Sequence, residues 1–331
     1  MRRLCLSPLS RLTALSLISV SGAAQQSIGS ADLAARLEQV GDKVEQYYNR
    51  TRSIVCTETV RLQPLASDLA PEGFGRRLEY ELRVSWEPGR SWDSRKAEDQ
   101  DGQGGPDERA GQDGQDGQDG QIERARTHDT GMEARVLREL LTVDGRRPKP
   151  KDEPGCLDPM PVSPEPLAML LPARRHEYVF TWAGTGHTDH RASVMIDYKS
   201  VASKPAEIAW RNDCVSVDLP GRTRGRIWVD AVTNDVLRLD ERLSGMFEFS
   251  VPREHTHAGS PRSMVIERAD SSIQYRPVVF HDPDETLMLP DSIQSFTVIR
   301  YAGVPRLRTT QVFSNCKRFL TEARVKDPGA R

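Results

Sequence analysis

The feature that most restricts the fold of this chain is a nine-residue run in which apolar and polar side chains alternate. From Leu78 to Trp86 every even-numbered residue is apolar and every odd-numbered residue is polar. This period of two is typical of a β-strand with one buried face. Further alternating segments lie at 54–62, 178–182, 194–198, 215–219, 237–239 and 307–313. The sequence therefore predicts an extensive sheet.

The links between these segments are short and rich in turn-forming residues. Four of them lie at 143–145, 219–221, 233–235 and 302–305, and each contains Gly, Asn, Asp or Pro. Short links join antiparallel neighbours, whereas parallel strands need long crossovers. The predicted sheet is therefore mostly antiparallel.

An amphipathic helix is predicted at 31–50, before the first strand. Its apolar residues recur at spacings of three and four, at Leu33, Leu37, Val40 and Val44. A helix lying on the sheet must turn this stripe toward the apolar strand face. The two walls formed in this way consist of Leu33, Leu37, Val40 and Val44 on the helix and Leu78, Tyr80, Leu82, Val84 and Trp86 on the strand. An imperfect fit between them leaves an apolar cavity, and close packing leaves an ordinary core.

Residues 94–130 interrupt this pattern. The segment is dominated by Gly, Gln and Asp, with repeated Gly-Gln-Asp triplets between 111 and 121. Such a composition cannot bury enough apolar surface to offset the entropy lost on ordering. We expect a disordered insertion within a single β-rich domain at 31–331, and one further apolar turn of helix at 164–171.

The N-terminus has the layout of a signal peptide. Basic residues precede a short apolar run at 12–20, and small residues follow it up to Ala24. The run is too short to span a membrane, and no later segment is apolar enough to do so. Cleavage after Ala24 removes three arginines and no acid, which moves the formal net charge from −2 to −5. We expect an exported, periplasmic or extracellular protein that does not bind nucleic acid, because its basic residues form no block.

Four cysteines remain after this cleavage, in a compartment that permits disulfides. Cys156 lies in a Pro- and Gly-containing link, and Cys214 precedes a strand on the face opposite its apolar residues. We predict that these two pair. Cys56 lies on a buried strand face, where we expect a free thiol that acts as a small apolar side chain.

Common catalytic signatures are missing from the sequence. There is no nucleophile elbow, P-loop, complete dinucleotide fingerprint or His-Glu-x-x-His motif. Two histidine pairs, His187 with His190 and His255 with His257, lie in polar segments, where solvated histidines are the usual case. The acid pairs at 240–241 and 282–285 have the composition of surface charge. We assign no catalytic, cofactor-binding or metal-binding residue.

One segment matches a known pattern. Gly225, Trp228, Asp230 and Thr233 have the spacing Gly-x-x-Trp-x-Asp-x-x-Thr and are followed by a returning strand. This hairpin resembles one in bacterial lipoprotein-sorting proteins, the superfamily of the periplasmic lipoprotein carrier and the outer-membrane lipoprotein receptor. The chain is also similar, notably at 156–159, 165–171 and 308–313, to exported acidobacterial-type proteins of unknown function.

The first resemblance implies an α+β fold, a curved antiparallel half-barrel with the N-terminal helix packed on its concave face. In the carrier, the cavity between helix and sheet holds acyl chains. The function expected on this basis is that of a non-enzymatic envelope protein that binds a lipid-like ligand, an acylated protein or a segment of an envelope protein, without a cofactor. The alternatives are a structural envelope protein without a ligand and a metal-dependent hydrolase. The oligomeric state stays open.

Overall fold

Antiparallel pairing between neighbouring strands organises the molecule. The computed structural model describes residues 30–51, 53–88, 122–124, 132–149, 152, 165–211, 214–256, 261–281, 284–302 and 305–318. The strands are β1 (Ser53–Pro64), β2 (Arg76–Pro88), β3 (Ile122–Arg124), β4 (Met132–Val143), β5 (Tyr178–Thr188), β6 (Arg191–Ser200), β7 (Glu207–Arg211), β8 (Cys214–Asp218), β9 (Thr223–Asp230), β10 (Val236–Leu243), β11 (Phe247–Ser250), β12 (Ser263–His281), β13 (Asp284–Arg300) and β14 (Arg306–Arg318). The helices are α1 (Ser30–Arg50) and α2 (Pro172–Arg175), with 3-10 helices at Glu165–Leu170 and Arg253–His255.

Twelve of these strands form one sheet. Their order is β3-β4-β2-β1-β14-β13-β12-β10-β9-β6-β5, with β11 paired to β12 outside this path. Within the described part of the chain β3 and β5 are the two ends and do not pair with each other, so the sheet stays open. β7 and β8 form a separate hairpin. An open antiparallel sheet with one long N-terminal helix confirms the predicted half-barrel of the α+β class.

The two longest strands, β12 and β13, do not follow a regular alternation. Their burial patterns are irregular, and each strand contains a proline, Pro277 or Pro290. Proline is tolerated in sheets at bulges, where a ladder hydrogen bond is already missing. The β12–β13 register shifts between Gln274 and Tyr275, and Tyr275 lies opposite Pro290. The bulge therefore accommodates this proline. It also interrupts the alternation of apolar and polar residues by which a strand is recognised in a sequence.

The apolar stripe of α1 packs on the inner face of the sheet. Leu37, Val40 and Val44 are buried in the main core cluster. The 3-10 helix Glu165–Leu170 crosses α1 at Gly41, where a Cβ atom would lie 2.8 Å from the Leu170 carbonyl oxygen. The absence of a side chain at this position allows the two backbones to approach so closely.

The Gly-x-x-Trp-x-Asp-x-x-Thr hairpin consists of β9, β10 and the turn between them. Gly225 lies opposite Tyr198 of β6, and a Cβ atom at Gly225 would lie 2.8 Å from the Tyr198 ring. The ring therefore covers the glycine, a contact that compensates for the missing side chain in a sheet. On the outer face, the Arg238 guanidinium lies 4.7 Å from the centre of the Trp228 ring, as expected for a cation–π contact.

Asp230 organises the turn of this hairpin. Its Oδ1 accepts hydrogen bonds from the backbone N–H groups of Val232 and Thr233 at 2.8 and 2.7 Å, and its Oδ2 pairs with Arg191 at 2.8 Å. Burial opposes ionisation of this carboxyl, but the two backbone N–H groups and Arg191 outweigh it and lower the pKa of Asp230. The turn is thus held by an ionised carboxylate.

The same turn anchors the helix. Arg36 of α1 donates hydrogen bonds to the side-chain oxygen of Asn234 and, at 3.2 Å, to the carbonyl oxygen of Ala231. Asn234 in turn donates to Gln39 at 3.2 Å. Asn234 has φ +62°, a left-handed conformation that Asn tolerates better than most residues. The hairpin motif therefore positions the first half of α1.

The cysteine at position 56 corrects one expectation. Cys56 is not a free thiol but forms a disulfide with Cys316. β1 and β14 are neighbours, and a bulge between Val55 and Thr57 brings the Cα atoms of the two cysteines to 4.1 Å. The pairing depends on strands from opposite ends of the chain. Cys214 is also disulfide-bonded, while Cys156 lies outside the described residues, so the pairing of Cys156 with Cys214 stays a prediction.

Several expectations fall on parts of the chain that the structure does not describe. These include the signal peptide at 1–24 and most of the insertion at 94–130. Within the bounds of that insertion, Ile122–Arg124 forms β3 and pairs with β4. The predicted apolar turn at 164–171 is observed as the 3-10 helix Glu165–Leu170.

The anchoring of α1 predicts a measurable coupling between Arg36 and Asn234. Arg36→Met keeps the aliphatic stem, and Asn234→Gly keeps the backbone conformation while removing the amide. A double-mutant cycle in urea unfolding should give a coupling energy of about 0.5–1.5 kcal/mol, the usual net value of an intramolecular hydrogen bond. If the two changes are additive within about 0.3 kcal/mol, the contact does not hold the helix.

The disulfides predict a specific peptide map. Digestion without reduction should release linked peptides that contain Cys56 with Cys316 and Cys156 with Cys214. Recovery of Cys156 as a free thiol from exported protein would refute the second pair. Replacing both Cys56 and Cys316 by Ser should lower the free energy of unfolding by roughly 2–5 kcal/mol, because the bond closes a loop of 260 residues.

Candidate functional site

An apolar cavity lies between the last turn of α1 and the inner face of the sheet. Its volume is about 60 Å³. The last turn of α1 contributes the ring of Tyr47, and Thr51, directly after the helix, contributes a hydroxyl. Five strands contribute mainly aliphatic and aromatic side chains. The lining residues are Tyr47, Thr51, Ile54, Cys56, Leu82, Val84, Ile273, Tyr275, Leu289, Pro290, Ile293 and Phe313.

No lining residue of this cavity has a charged side chain. The Thr51 hydroxyl already donates to the Tyr47 carbonyl oxygen at 2.9 Å. Burial raises the pKa of the Tyr275 hydroxyl, and the nearby Tyr47 and Glu241 raise it further. Burial likewise raises the pKa of Tyr47. Both phenols therefore stay neutral, and the cavity offers an apolar wall with a few uncharged polar atoms.

Eight of the nine residues predicted to form two facing walls are found in three places. Leu82 and Val84 line the cavity. The helix residues belong to the core cluster beside it: Leu37, Val40 and Val44 are buried, and Leu33 packs against them. Leu78 and Tyr80 pack in a separate cluster with Val60, Leu62 and Val143. The side chain of Trp86 lies outside the described set.

A buried polar network adjoins the cavity. Glu58 is fully buried and accepts hydrogen bonds from Arg138 Nε at 2.6 Å, Arg138 Nη2 at 3.2 Å and Gln311 Nε2 at 2.7 Å. Glu58 follows Cys56 on the inner face of β1 and lies opposite Phe313, so it is next to the lining. Sequence inspection missed this network. The sequence signal was Glu58 itself. It is charged, whereas the other even-numbered residues between 54 and 62 are apolar.

A second carboxyl, which is half-buried, lies on β10. Tyr198 donates a hydrogen bond to Glu241 Oε2 at 3.1 Å. Burial raises the pKa of Glu241, and this effect exceeds the opposing hydrogen bonds from Tyr198 and Thr223. The neighbouring Asp240 accepts from Arg238 at 2.8 Å. The two acids point to opposite faces of the strand, so residues 240–241 do not act as a pair.

The histidine pairs show no common geometry for a metal. His255 stacks on Trp210 with ring centres 4.5 Å apart, and His257 is not described. His187 and His190 are exposed at the β5–β6 turn. In the described ranges no group of three His, Cys, Asp or Glu side chains is placed to hold a metal ion. In those ranges, too, no helix combines the length and apolarity needed to cross a membrane.

Comparison with known proteins gives distant likenesses. A LolA superfamily protein from Nitrosomonas europaea is 9% identical with a TM-score of 0.30, over 86% of this chain and 94% of that chain. An outer membrane lipoprotein-sorting protein domain from Vibrio parahaemolyticus is 9% identical with a TM-score of 0.34, over 86% and 92%. A DUF1329 family protein from Desulfovibrio piger is 8% identical with a TM-score of 0.33, over 87% and 93%.

No protein-family model and no curated protein sequence matches the chain. The likeness to lipoprotein-sorting proteins that the sequence suggested is found again over most of the chain, as a distant likeness of fold.

The raised pKa of the half-buried Glu241 carboxyl predicts a pH-dependent stability. The folded protein holds the Glu241 proton more tightly than the unfolded chain, whose Glu pKa is about 4.3. Wild-type stability therefore rises as the pH falls through the raised pKa, and this gain is complete near the unfolded value. Glu241→Gln keeps the acceptor for Tyr198 and removes the charge. It should be more stable than wild type at pH 8, with the difference shrinking toward pH 5.

Urea unfolding at both pH values measures this difference. Glu248→Gln serves as the control, because Glu248 is exposed on β11 and its replacement should change stability little at either pH. A Glu241→Gln variant that is less stable than wild type at pH 8 would contradict the prediction.

Proposed function

We propose that this protein is an exported, non-enzymatic binding protein of the bacterial envelope, and that its cavity takes an acyl chain. The observation that carries the proposal is an apolar cavity without a charged lining residue, placed between a helix and the inner face of an open sheet. Such a site matches the chemistry of a hydrocarbon chain. Each buried methylene contributes about 0.8 kcal/mol to binding.

The lining also sets the direction in which a lipid enters. A charged head group inside the cavity would meet neutral side chains and would lose its hydration without gaining an ion pair. Arg138, a largely buried cation beside the cavity, already forms an ion pair with Glu58. The hydrocarbon end therefore enters first, and the polar head stays at the mouth, in water.

The helix must move for the chain to enter. An apolar cavity of about 150 Å³ holds one benzene molecule, and the cavity described here has only about 60 Å³. The polar anchors of α1, Arg36 and Gln39, lie in its first half. Its last turn carries Tyr47 and is followed by Thr51, both of which line the cavity. We infer that this turn moves outward to admit the ligand while the first half stays docked.

Two features support export. The N-terminal 24 residues have the layout of a signal peptide. The Cys56–Cys316 disulfide is typical of proteins in oxidising compartments. The hairpin resemblance at 225–239 supports a role in the bacterial envelope.

The small volume favours one other function, that of a structural envelope protein without a ligand. In that case the cavity is a packing defect at the edge of a core in which Val40 and Val44 are almost fully buried. Lipid extraction and mass spectrometry of the purified protein separate the two functions. Acyl lipid recovered in a stoichiometric amount supports the binding protein, and its absence supports the structural one.

Filling the cavity should abolish binding without unfolding the protein. Val84 lines the cavity and is only half-buried, so Val84→Phe adds a ring where there is space. A pyrene-labelled hexadecanoyl ester should bind wild type saturably and bind Val84→Phe at least about tenfold more weakly, a loss of roughly 1.4 kcal/mol. Fluorescence titration measures both affinities.

Val55→Phe is the matched control. Val55 is also half-buried and lies on β1, but it is outside the cavity lining, so this change should leave the affinity unaltered. The proposal fails if the probe does not saturate on wild type. It also fails if Val84→Phe binds the probe as well as Val55→Phe does.

A further inference from the structure

The strand β5 is an open edge of the sheet. It is the last strand in the sheet order, and among the strands described it pairs only with β6. The opposite edge, β3, has three residues, of which Glu123 and Arg124 are charged. β5 has eleven residues, from Tyr178 to Thr188. Of the two strands at the ends of the sheet order, β5 therefore offers more backbone for pairing.

The composition of β5 is unusual for an edge. It contains no Asp, Glu, Lys, Arg or Pro, whereas every other strand that the structure describes contains at least one charged residue. Edge strands in monomeric proteins usually carry lysine, proline or inward charges, which prevent pairing with another chain. Val179 is 54% exposed on this strand. β5 thus lacks the charges and the proline that keep an edge unpaired, and its remaining protection is a bulge after Trp182.

Hydrogen bonds to β6 alternate along β5, and this alternation determines which residues direct their backbone N–H and C=O groups to the open side. The Glu177 carbonyl oxygen accepts from the Val201 N–H at 2.8 Å. Hydrogen-bonded positions alternate along an antiparallel pair, so Val179 and Thr181 direct their backbone groups toward β6. Phe180 and Trp182 therefore direct their N–H and C=O groups away from the sheet.

A bulge limits the regular part of this edge. The β5–β6 register shifts between Trp182 and Gly184, and Gly184 has φ +123°, a conformation that favours glycine. Regular pairing is thus confined to the residues before the bulge, and Phe180 lies near the middle of that stretch. A strand that pairs with it must match a short, uncharged and aromatic segment.

We propose that β5 pairs with β5 of a second copy of this chain, antiparallel, about a two-fold axis through Phe180. Antiparallel pairing of identical strands is self-complementary, as a two-fold interface requires. Phe180 then exchanges both backbone hydrogen bonds with Phe180 of the second copy, and Val179 faces Thr181 across the interface. When a charged edge strand pairs with itself, like charges meet across the interface and repel each other. β5 has no Asp, Glu, Lys or Arg, so this repulsion does not arise.

The second copy also fits better than β3, the strand at the other end of the sheet order. β3 contains Glu123 and Arg124 within three residues, and pairing it with β5 would place two charged residues beside an uncharged strand. The self-pair places uncharged side chains on both faces. The resulting dimer has one continuous sheet, and each copy keeps its own helix and cavity.

Hydrogen exchange tests the pairing without any substitution. The amide protons of Phe180 and Trp182 should exchange quickly in dilute protein and become protected as the concentration rises. The amide protons of Val179 and Thr181, which bond to β6, should be protected at all concentrations. Sedimentation equilibrium over the same concentrations should show a reversible monomer–dimer equilibrium.

A lysine substitution tests the same interface. Val179→Lys places two lysines on diagonal positions across the two-fold axis, about 7–8 Å apart, and should raise the dimer dissociation constant about tenfold or more. Val279→Lys on β12 is the matched control, because Val279 is 61% exposed, pairs with β13 and lies four strands from β5 in the sheet order. It should dimerise like wild type, and thermal unfolding checks that both variants are folded.

The proposal is overturned by a protein that stays monomeric at every concentration. It is also overturned if Val179→Lys dimerises as tightly as Val279→Lys. Concentration-dependent dimerisation without protection of Phe180 and Trp182 would place the interface elsewhere and overturn it as well. None of these results bears on the acyl-binding cavity, because β5 contributes no residue to the lining.

Discussion

The contact between α1 and the turn at 230–235 is the constraint on which the rest of the structure depends. Arg36 and Gln39 bind Asn234, and the turn that presents Asn234 is held by the buried carboxylate of Asp230. This contact fixes the start of the helix, and Gly41 lets the 3-10 helix at 165–170 cross it closely. The direction of α1 then decides where its last turn meets the sheet, and therefore where the cavity lies.

Three of the four defining residues of the motif at 225–239 thus have a structural explanation. Gly225 leaves room for the ring of Tyr198, Trp228 carries the outer-face contact with Arg238, and Asp230 caps the turn. None of these residues lines the cavity. The motif residues stabilise the hairpin and the turn that anchors α1, whereas the cavity is lined by residues from other strands. A match to this motif therefore predicts the fold and gives no ligand.

Local patterns in the sequence predicted much of this fold. The alternation at 78–86 and the three-four spacing of α1 identified β2 and the helix, because each depends only on neighbouring residues. The cavity depends on strand order, which brings β1 next to β14 and β12 next to β13. Strand order is not encoded in a local period. For the same reason, the Cys56–Cys316 disulfide and the network around Glu58 could not be read from spacing.

Photo-crosslinking can locate the acyl chain that we propose between the last turn of α1 and the sheet. A hexadecanoyl ester with a diazirine near its methyl end is bound, irradiated and located by peptide mass spectrometry. Binding in the cavity should give adducts on lining residues, such as Tyr47, Val84 and Leu289, that disappear with excess unlabelled ester. Adducts confined to the outer face of the sheet, or adducts that excess ester does not remove, would contradict it.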